Sequence, residues 1–304
     1  MPRKLSNEFM RDLMAGALKP LFDEIKQDDS LDLQIRENYL NIYYRGGCLL
    51  KLTKDPANSG VYLPSFDSNY LHGIQTTLSV CDCIDDNETV HGWASAIPEL
   101  KRCMDRFFYR HPKNEREFAQ NFVRENNRTK IIAPGPDYFI CDVEYNFTVH
   151  GAKGQFDAVA VRWDSTSIAR KKPRGLRLAL IEFKFGDGAL SGKAGIEKHI
   201  SDAEKFLAGR DQAGFREEMR IVFNQKRKLG YILNQKDIES FSDEKPEYIF
   251  VLANHDPGSG VLKQVLGKIK EPLAFDLKFA RAGFFGSGLY AQNVLSLENF
   301  KKMV

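Results

Sequence analysis

The sequence predicts an α/β protein built on a mixed sheet, with a smaller α+β region ahead of it. Three observations carry this. From Glu115 onward the patterns run helix, three strands, two helices and a further strand, an order that lays helices on the faces of a sheet. EYIFVLAN, residues 247–254, is an apolar run of strand length, as a strand buried on both faces requires. The chain has 304 residues, 42 % hydrophobic and 28 % charged, which allows one large domain or two modest ones with a real core.

The elements follow in order. Phe9, Leu13, Ala17 and Leu21 recur at helical spacing, so residues 5–26 read as an amphipathic helix, weakened in its second half by Gly16 and Pro20. QIRENYLNIYYRGGCLLKL, residues 34–52, reads as two strands around the turn Arg45-Gly46-Gly47. Its alternating aromatics suit sheet packing, or contact with nucleic acid or a partner. Residues 53–90 are irregular, and a helix is expected over 94–108. After Pro112, NEREFAQNFVRENN gives a second helix. Strands are expected at 138–147, at QFDAVAVRW (155–163) and at LRLALIEFKF (176–185), with a turn at 151–154 and the basic loop RKKPRG between the last two. Helices at 192–209 and 211–230, the strand at 247–254 and a final segment, LAFDLKFARAGFF, complete the chain. The expected division is an N-terminal α+β region over 1–105 and the α/β domain over 106–304.

Charge and composition exclude little. A net charge of +3 does not by itself argue for nucleic acid; a local basic patch would have to do so. No apolar run approaches the ~20 residues of a membrane helix. MPRKLSNEFM lacks the apolar stretch of a secretory signal, so a cytoplasmic location is expected. The five cysteines then read as reduced thiols. Cys81, Cys83, His91 and Cys103 fit no common structural zinc spacing.

The chemistry concentrates on three residues. Asp157 opens a strand that is otherwise core. Glu182 and Lys184 stand two apart on the next strand, so they share a face, and Asp157 reaches that face if the strands adjoin. Two carboxylates held close need a proton or a cation. A hard divalent cation binds carboxylate oxygens, lowers the pKa of its water and neutralises charge on a phosphoryl group. A lysine beside it can orient the water or stabilise an anionic transition state. Acid-x-lysine triplets also arise by chance, as Glu24-Ile25-Lys26 and Asp276-Leu277-Lys278 illustrate. Only Glu182-Phe183-Lys184 has an acid one strand earlier, an apolar strand before it and a helix behind it.

Asp157 followed by Glu182-Phe183-Lys184 resembles the PD-(D/E)xK nuclease superfamily, with Phe156 where the name-giving proline would stand. The resemblance covers about residues 106–304 and centres on 115–206. It implies a restriction-endonuclease-like core and a Mg²⁺-dependent nuclease, with Mn²⁺ able to substitute, acting on nucleic acid and most naturally on DNA, in bacterial defence or DNA processing. Asp157 and Glu182 would hold the metal, and Lys184 would act on the water. The family often adds a third acid from the preceding helix. Glu115 projects within roughly 10° of the middle of the apolar face set by Phe118, Ala119, Phe122 and Val123, while Glu117 lies almost opposite, so Glu115 is the expected third ligand.

His199 falls on the inward face of the following helix, either supporting the site and touching the scissile phosphate or sitting as a core histidine bonded to backbone. Arg170, Lys171, Lys172, Arg174 and Arg177, on the loop joining the acid-bearing strands, are expected beside the site, with Lys171, Lys172 and Arg174 as phosphate contacts. Lys226, Arg227 and Lys228 form a second basic group, or a solvated helix cap. A catalytically inactive nuclease-fold module binding nucleic acid or a protein is the rival reading. A homo-oligomer is compatible with the sequence.

Overall fold

Helix breakers set the first elements. In the computed structural model, which describes residues 2–73, 80–128, 135–149, 151–256, 260–283 and 288–304, the single helix expected over 5–26 is two. Helix α1 (Asn7–Ala15) is capped by the Ser6 side chain and closed by the Gly16 N–H, and α2 (Lys19–Gln27) carries Pro20 in its first turn, where no amide is needed. The chain divides into two units: Met1–Gln120 with Lys228–Tyr231, and Asn121–Arg227 with Ile232–Val304.

The first unit holds a four-stranded antiparallel sheet in sequence order: β1 (Leu31–Ile35), β2 (Tyr39–Tyr44), β3 (Gly47–Lys54) and β4 (Tyr62–Ser65). Two strands were expected here and four form, because β1 and β4 are short and flanked by polar residues that hide their period. Arg45 and Gly46 both take positive φ, which gives the β2–β3 turn a twist matched to its strands. Helix α3 (Asn87–Arg110) starts seven residues earlier than expected, at a capping box between Asp86 and Thr89. Its buried face packs with α1, α2 and the sheet in one core, which Leu229 and Tyr231 join. Helix α4 (Asn114–Asn127) follows. The division between the units falls within α4, not at 105–106: α3 runs on to Arg110, and Phe108 is buried in the first core.

The second unit is a six-stranded mixed sheet. Its strands are β5 (Tyr138–Val149), β6 (Ala152–Arg162), β7 (Arg177–Phe185), β8 (Glu247–Ala253), β9 (Asp276–Ala282) and the two-residue β10 (Leu295–Ser296), in spatial order β10-β9-β8-β7-β6-β5. The meander β5-β6-β7 is antiparallel, while β7, β8 and β9 run parallel. Helices α5 (Ile196–Gly209) and α6 (Gln212–Leu229) connect β7 to β8, as a parallel pair requires, and α7 (Gly260–Lys268) connects β8 to β9. Helix α8 (Leu297–Lys301) ends the chain. Every residue of β8 is buried. A mixed-sheet α/β unit with the expected element order is therefore present. Residues 74–79 and 284–285, part of the irregular stretch and of the final segment, lie outside the described residues. No helix among the described residues is long and apolar enough to cross a membrane.

Candidate active site

The site lies where the β6–β7 ladder stops. The two strands pair from Arg162–Arg177 to Ala158–Ile181. One residue further on, a side chain replaces the ladder: the Phe183 N–H donates to Oδ2 of Asp157 at 2.7 Å. Asp157 is half-buried, at the edge of the site.

On β7 the period of two decides direction. Leu178 and Leu180 pack into the core with Ile196, Ile200, Ala203 and Phe206 of α5. Glu182 and Lys184 continue that face, 3 % and 4 % exposed. Phe183 takes the other face, its ring 5.0 Å from that of Phe122 on α4. Gly186, with φ +75°, then turns the chain out of the strand. Nothing lies within 4 Å of where its Cβ would be, so conformation, not crowding, calls for glycine there.

The short 3-10 turns at Asp187–Ala189 and Gly192–Ala194 bring a main-chain acceptor back to the site. Lys184 Nζ donates to Oε1 of Glu182 and to the Ala194 carbonyl, both at 2.9 Å. His199 Nδ1 lies 3.1 Å from the same Oε1. Oε1 thus accepts from Lys184 and has the His199 ring beside it, while Oε2 is buried with no hydrogen-bond partner. Burial first, and then the Asp157 carboxylate, push Glu182 well above the usual carboxylate range, against the pull of Lys184. Burial and the Lys184 charge push His199 down to about 4. Its ring is therefore neutral at neutral pH, so its approach to Glu182 is not an ion pair.

Asp157, Glu182, Lys184 and His199 are brought together as the sequence predicts; Glu115 is not among them. It is exposed in the first turn of α4, one turn before the first buried residue, Phe118. A helical wheel extrapolates the buried face into a turn that packs on nothing. Glu117, read as solvated, instead pairs with Arg45 at 3.1 Å. The basic loop is also misplaced by the sequence reading. It joins the end of β6 to the start of β7, and Lys184 lies seven residues along β7 from Arg177, about 23 Å at strand rise. Lys171, Lys172 and Arg174 therefore sit at the opposite end of the strands. Arg174 pairs with Glu239, and Arg170 donates to the Pro136 carbonyl and lies over the Phe139 ring. Lys226 is fully buried and donates to the Cys141 carbonyl, so it is no solvated cap, and Arg227 pairs with Asp237.

Sequence reasoning missed two features near the carboxyl ends of β7 and β8. One is the Ala194 carbonyl, which no side-chain pattern reports. The other is His255, whose Nδ1 lies 2.6 Å from Asp187 Oδ1 and whose Nε2 is buried without a partner. Its place just past a buried parallel strand was the available signal.

The donor set fits a hard divalent cation: a buried carboxylate oxygen with no partner, beside a second carboxylate that makes it hard to ionise. Asp157 and Glu182 are the residues that would hold it. No group of three His, Cys, Asp or Glu suited to a metal occurs among the described residues, which reduces the expected three-acid set to two. Neither a protein-family model, a curated protein nor a solved structure matches this chain.

Proposed function

We propose that the chain hydrolyses phosphodiester bonds of nucleic acid, DNA foremost, with Mg²⁺ or Mn²⁺ held by Asp157 and Glu182. The observation that carries this reading is the unpartnered, buried Oε2 of Glu182 beside Asp157. Resemblance to the PD-(D/E)xK superfamily supports it, through Asp157 and Glu182-Phe183-Lys184, together with the order helix, antiparallel meander, helices, parallel strand, which the resemblance leads one to expect.

When bound, the cation supplies an activated water and neutralises developing phosphoryl charge. Lys184, held by Glu182 Oε1 and the Ala194 carbonyl, offers its ammonium to orient that water or meet the anionic transition state. Neutral His199 lies 3.1 Å from Oε1 of Glu182 and adds no competing positive charge there. Asp157, anchored on the Phe183 amide, is the acid that substrate and metal reach first, because Glu182 and Lys184 are covered.

That cover is also what favours the second reading, a nuclease-fold binding module without catalysis. Plasmid degradation in Mg²⁺, in EDTA and with Lys184→Ala separates the two. The nuclease reading expects cleavage in Mg²⁺ that EDTA abolishes and that Lys184→Ala lowers by about 10²-fold or more. Cleavage in EDTA, or full cleavage by Lys184→Ala, overturns the mechanism. Absence of cleavage together with oligonucleotide binding and no calorimetric heat for Mg²⁺ selects the binding module.

A further inference from the structure

The first unit has a pocket of its own, independent of Asp157 and Glu182. It has a volume of about 370 Å³, toward the lower end of the ~300–1,000 Å³ that ligand sites span. Its wall mixes two chemistries. Phe107, Tyr70 and His111 form an aromatic cluster: the Tyr70 and Phe107 rings meet edge-on at 5.1 Å, and Phe107 lies 4.8 Å from His111. Arg106, Arg110, Lys113 and Arg116 supply four cations to the same lining, against the single carboxylate of Asp67. Asp67 is itself engaged, capping the turn that carries Tyr70 by accepting from the Asn69 N–H.

The nearby acids do not neutralise Arg106, Arg110 or Lys113. Asp105 and Glu117 are both taken by Arg45, at 2.9 and 3.1 Å. Arg106, Arg110 and Lys113 make no side-chain hydrogen bond or ion pair among the described residues. A helix C-terminus accounts for one cation in its last turn, not for three beside an aromatic cluster. The Arg45-Gly46-Gly47 turn shapes the wall. A Cβ on Gly46, whose φ is +74°, would lie 2.3 Å from the Arg116 backbone, and one on Gly47 would lie 2.6 Å from the Tyr70 hydroxyl. Only glycine lets both residues approach the turn.

A second cavity, lined by Gly73, Asp105, Arg106, Tyr109 and Arg110, adjoins the first. The two share Arg106 and Arg110, one helical turn apart on α3. Tyr109 stands 90 % exposed on the far side, a large aromatic face with no packing role. Aromatic surface, a cationic ridge and aromatic surface follow one another, as base, phosphate and base do along a single strand.

We propose that this part of the first unit binds single-stranded nucleic acid, with one base in the Tyr70–Phe107–His111 pocket, the next against Tyr109, and the phosphate between them on Arg106 and Arg110. Sequence is not read here, since every base has a stacking face, and the binding requires no metal.

Fluorescence anisotropy of a labelled dT12 strand with the full-length protein in EDTA tests this with cleavage silent, so a negative result leaves the nuclease reading untouched. The Arg106→Ala/Arg110→Ala double variant and Tyr109→Ala change exposed side chains, and circular dichroism checks that both fold. The double variant is expected to weaken binding by about tenfold or more, and to lower the log–log salt slope by about 0.7, the share of one phosphate on a single strand. Tyr109→Ala is expected to weaken it by at least about fivefold. Unlabelled dT12 should compete well, and dTMP, inorganic phosphate and a blunt duplex poorly. Wild-type affinity in the double variant overturns the site. Equal competition by dTMP overturns the strand in favour of a free nucleotide, and equal competition by the duplex or by inorganic phosphate overturns the role of the bases.

Discussion

Of the carboxylates buried in the six-stranded sheet, Glu247 and Glu182 are treated in opposite ways. Glu247, at the start of β8, is 1 % exposed. Its Oε2 accepts from the Tyr138 hydroxyl at 2.7 Å, and its Oε1 meets Arg162 at 2.9 Å and Arg177 at 3.5 Å. Glu182, near the end of β7, is equally covered but has one oxygen bare and a second acid beside it. The first acid is met by a phenol and by two arginines that also reach Asp164 and Asp276. The second shares one lysine with a carbonyl and faces Asp157. A buried charge that is balanced belongs to the architecture; one left short of a partner marks where a cation or proton is missing. The sheet thus has one end where buried charge is balanced and one where it is not.

The largest test of this contrast is stability. Glu247→Gln removes the anion that Arg162 and Arg177 share, though Asp164 and Asp276 still face them, and should cost about 2 kcal/mol, the scale of lost hydrogen bonds to a charged group. Glu182→Gln mimics a carboxyl group that is already hard to ionise and should cost less than about 1 kcal/mol. Urea unfolding of both variants measures this, and equal losses would mean that Glu182 is balanced too.

A smaller effect concerns the cation. The folded-state pKa of Glu182 is raised, so stability drawn from its proton is complete below the ordinary carboxylate value and is lost as pH rises through the raised value. On the proposed reading Mg²⁺ would replace that proton, so its stabilising effect should grow as pH rises above the ordinary carboxylate value. A shift on the order of 2 °C in melting temperature at pH 8, with Mg²⁺ about tenfold above its dissociation constant, is expected. It should vanish in Asp157→Asn, and an identical shift in that variant would contradict the paired-acid site.

The smallest effect belongs to His199. Its folded-state pKa is lowered to about 4, so above the unfolded value of about 6.5 both states are neutral and pH is without influence. As pH falls from there toward 4, the unfolded chain takes up a proton that the folded one refuses, and stability declines. His199→Gln should flatten this limb of the stability profile. An unchanged limb would assign the acid sensitivity to other groups.

The Glu182 end was legible because strand geometry is local. A period of two commits Glu182 and Lys184 to one face, whatever surrounds them, and the apolar residues before them commit that face to the core. The distance to the basic loop was legible too, by counting from Arg177 to Lys184, although chain proximity suggested otherwise. Glu115 was not, because the direction of a side chain on a helix has meaning only along the stretch that packs, and α4 packs from Phe118 onward. The α+β region was half-legible. The turn at Arg45-Gly46 declared itself, but β1 and β4 depend on partners that no local pattern names.

The sequence by itself determined the mixed-sheet order, the shared face of Glu182 and Lys184 and the nearness of Asp157, since each follows from backbone period and chain order. Tertiary structure alone decided how charges are balanced. It sent three donors to Glu247, left Oε2 of Glu182 bare, drew Ala194 onto Lys184 and tied Asp105 and Glu117 to Arg45. The physical reason is range. Secondary structure is set by neighbours along the chain, whereas the cost of a buried charge depends on every group that folding brings within a few ångströms of it.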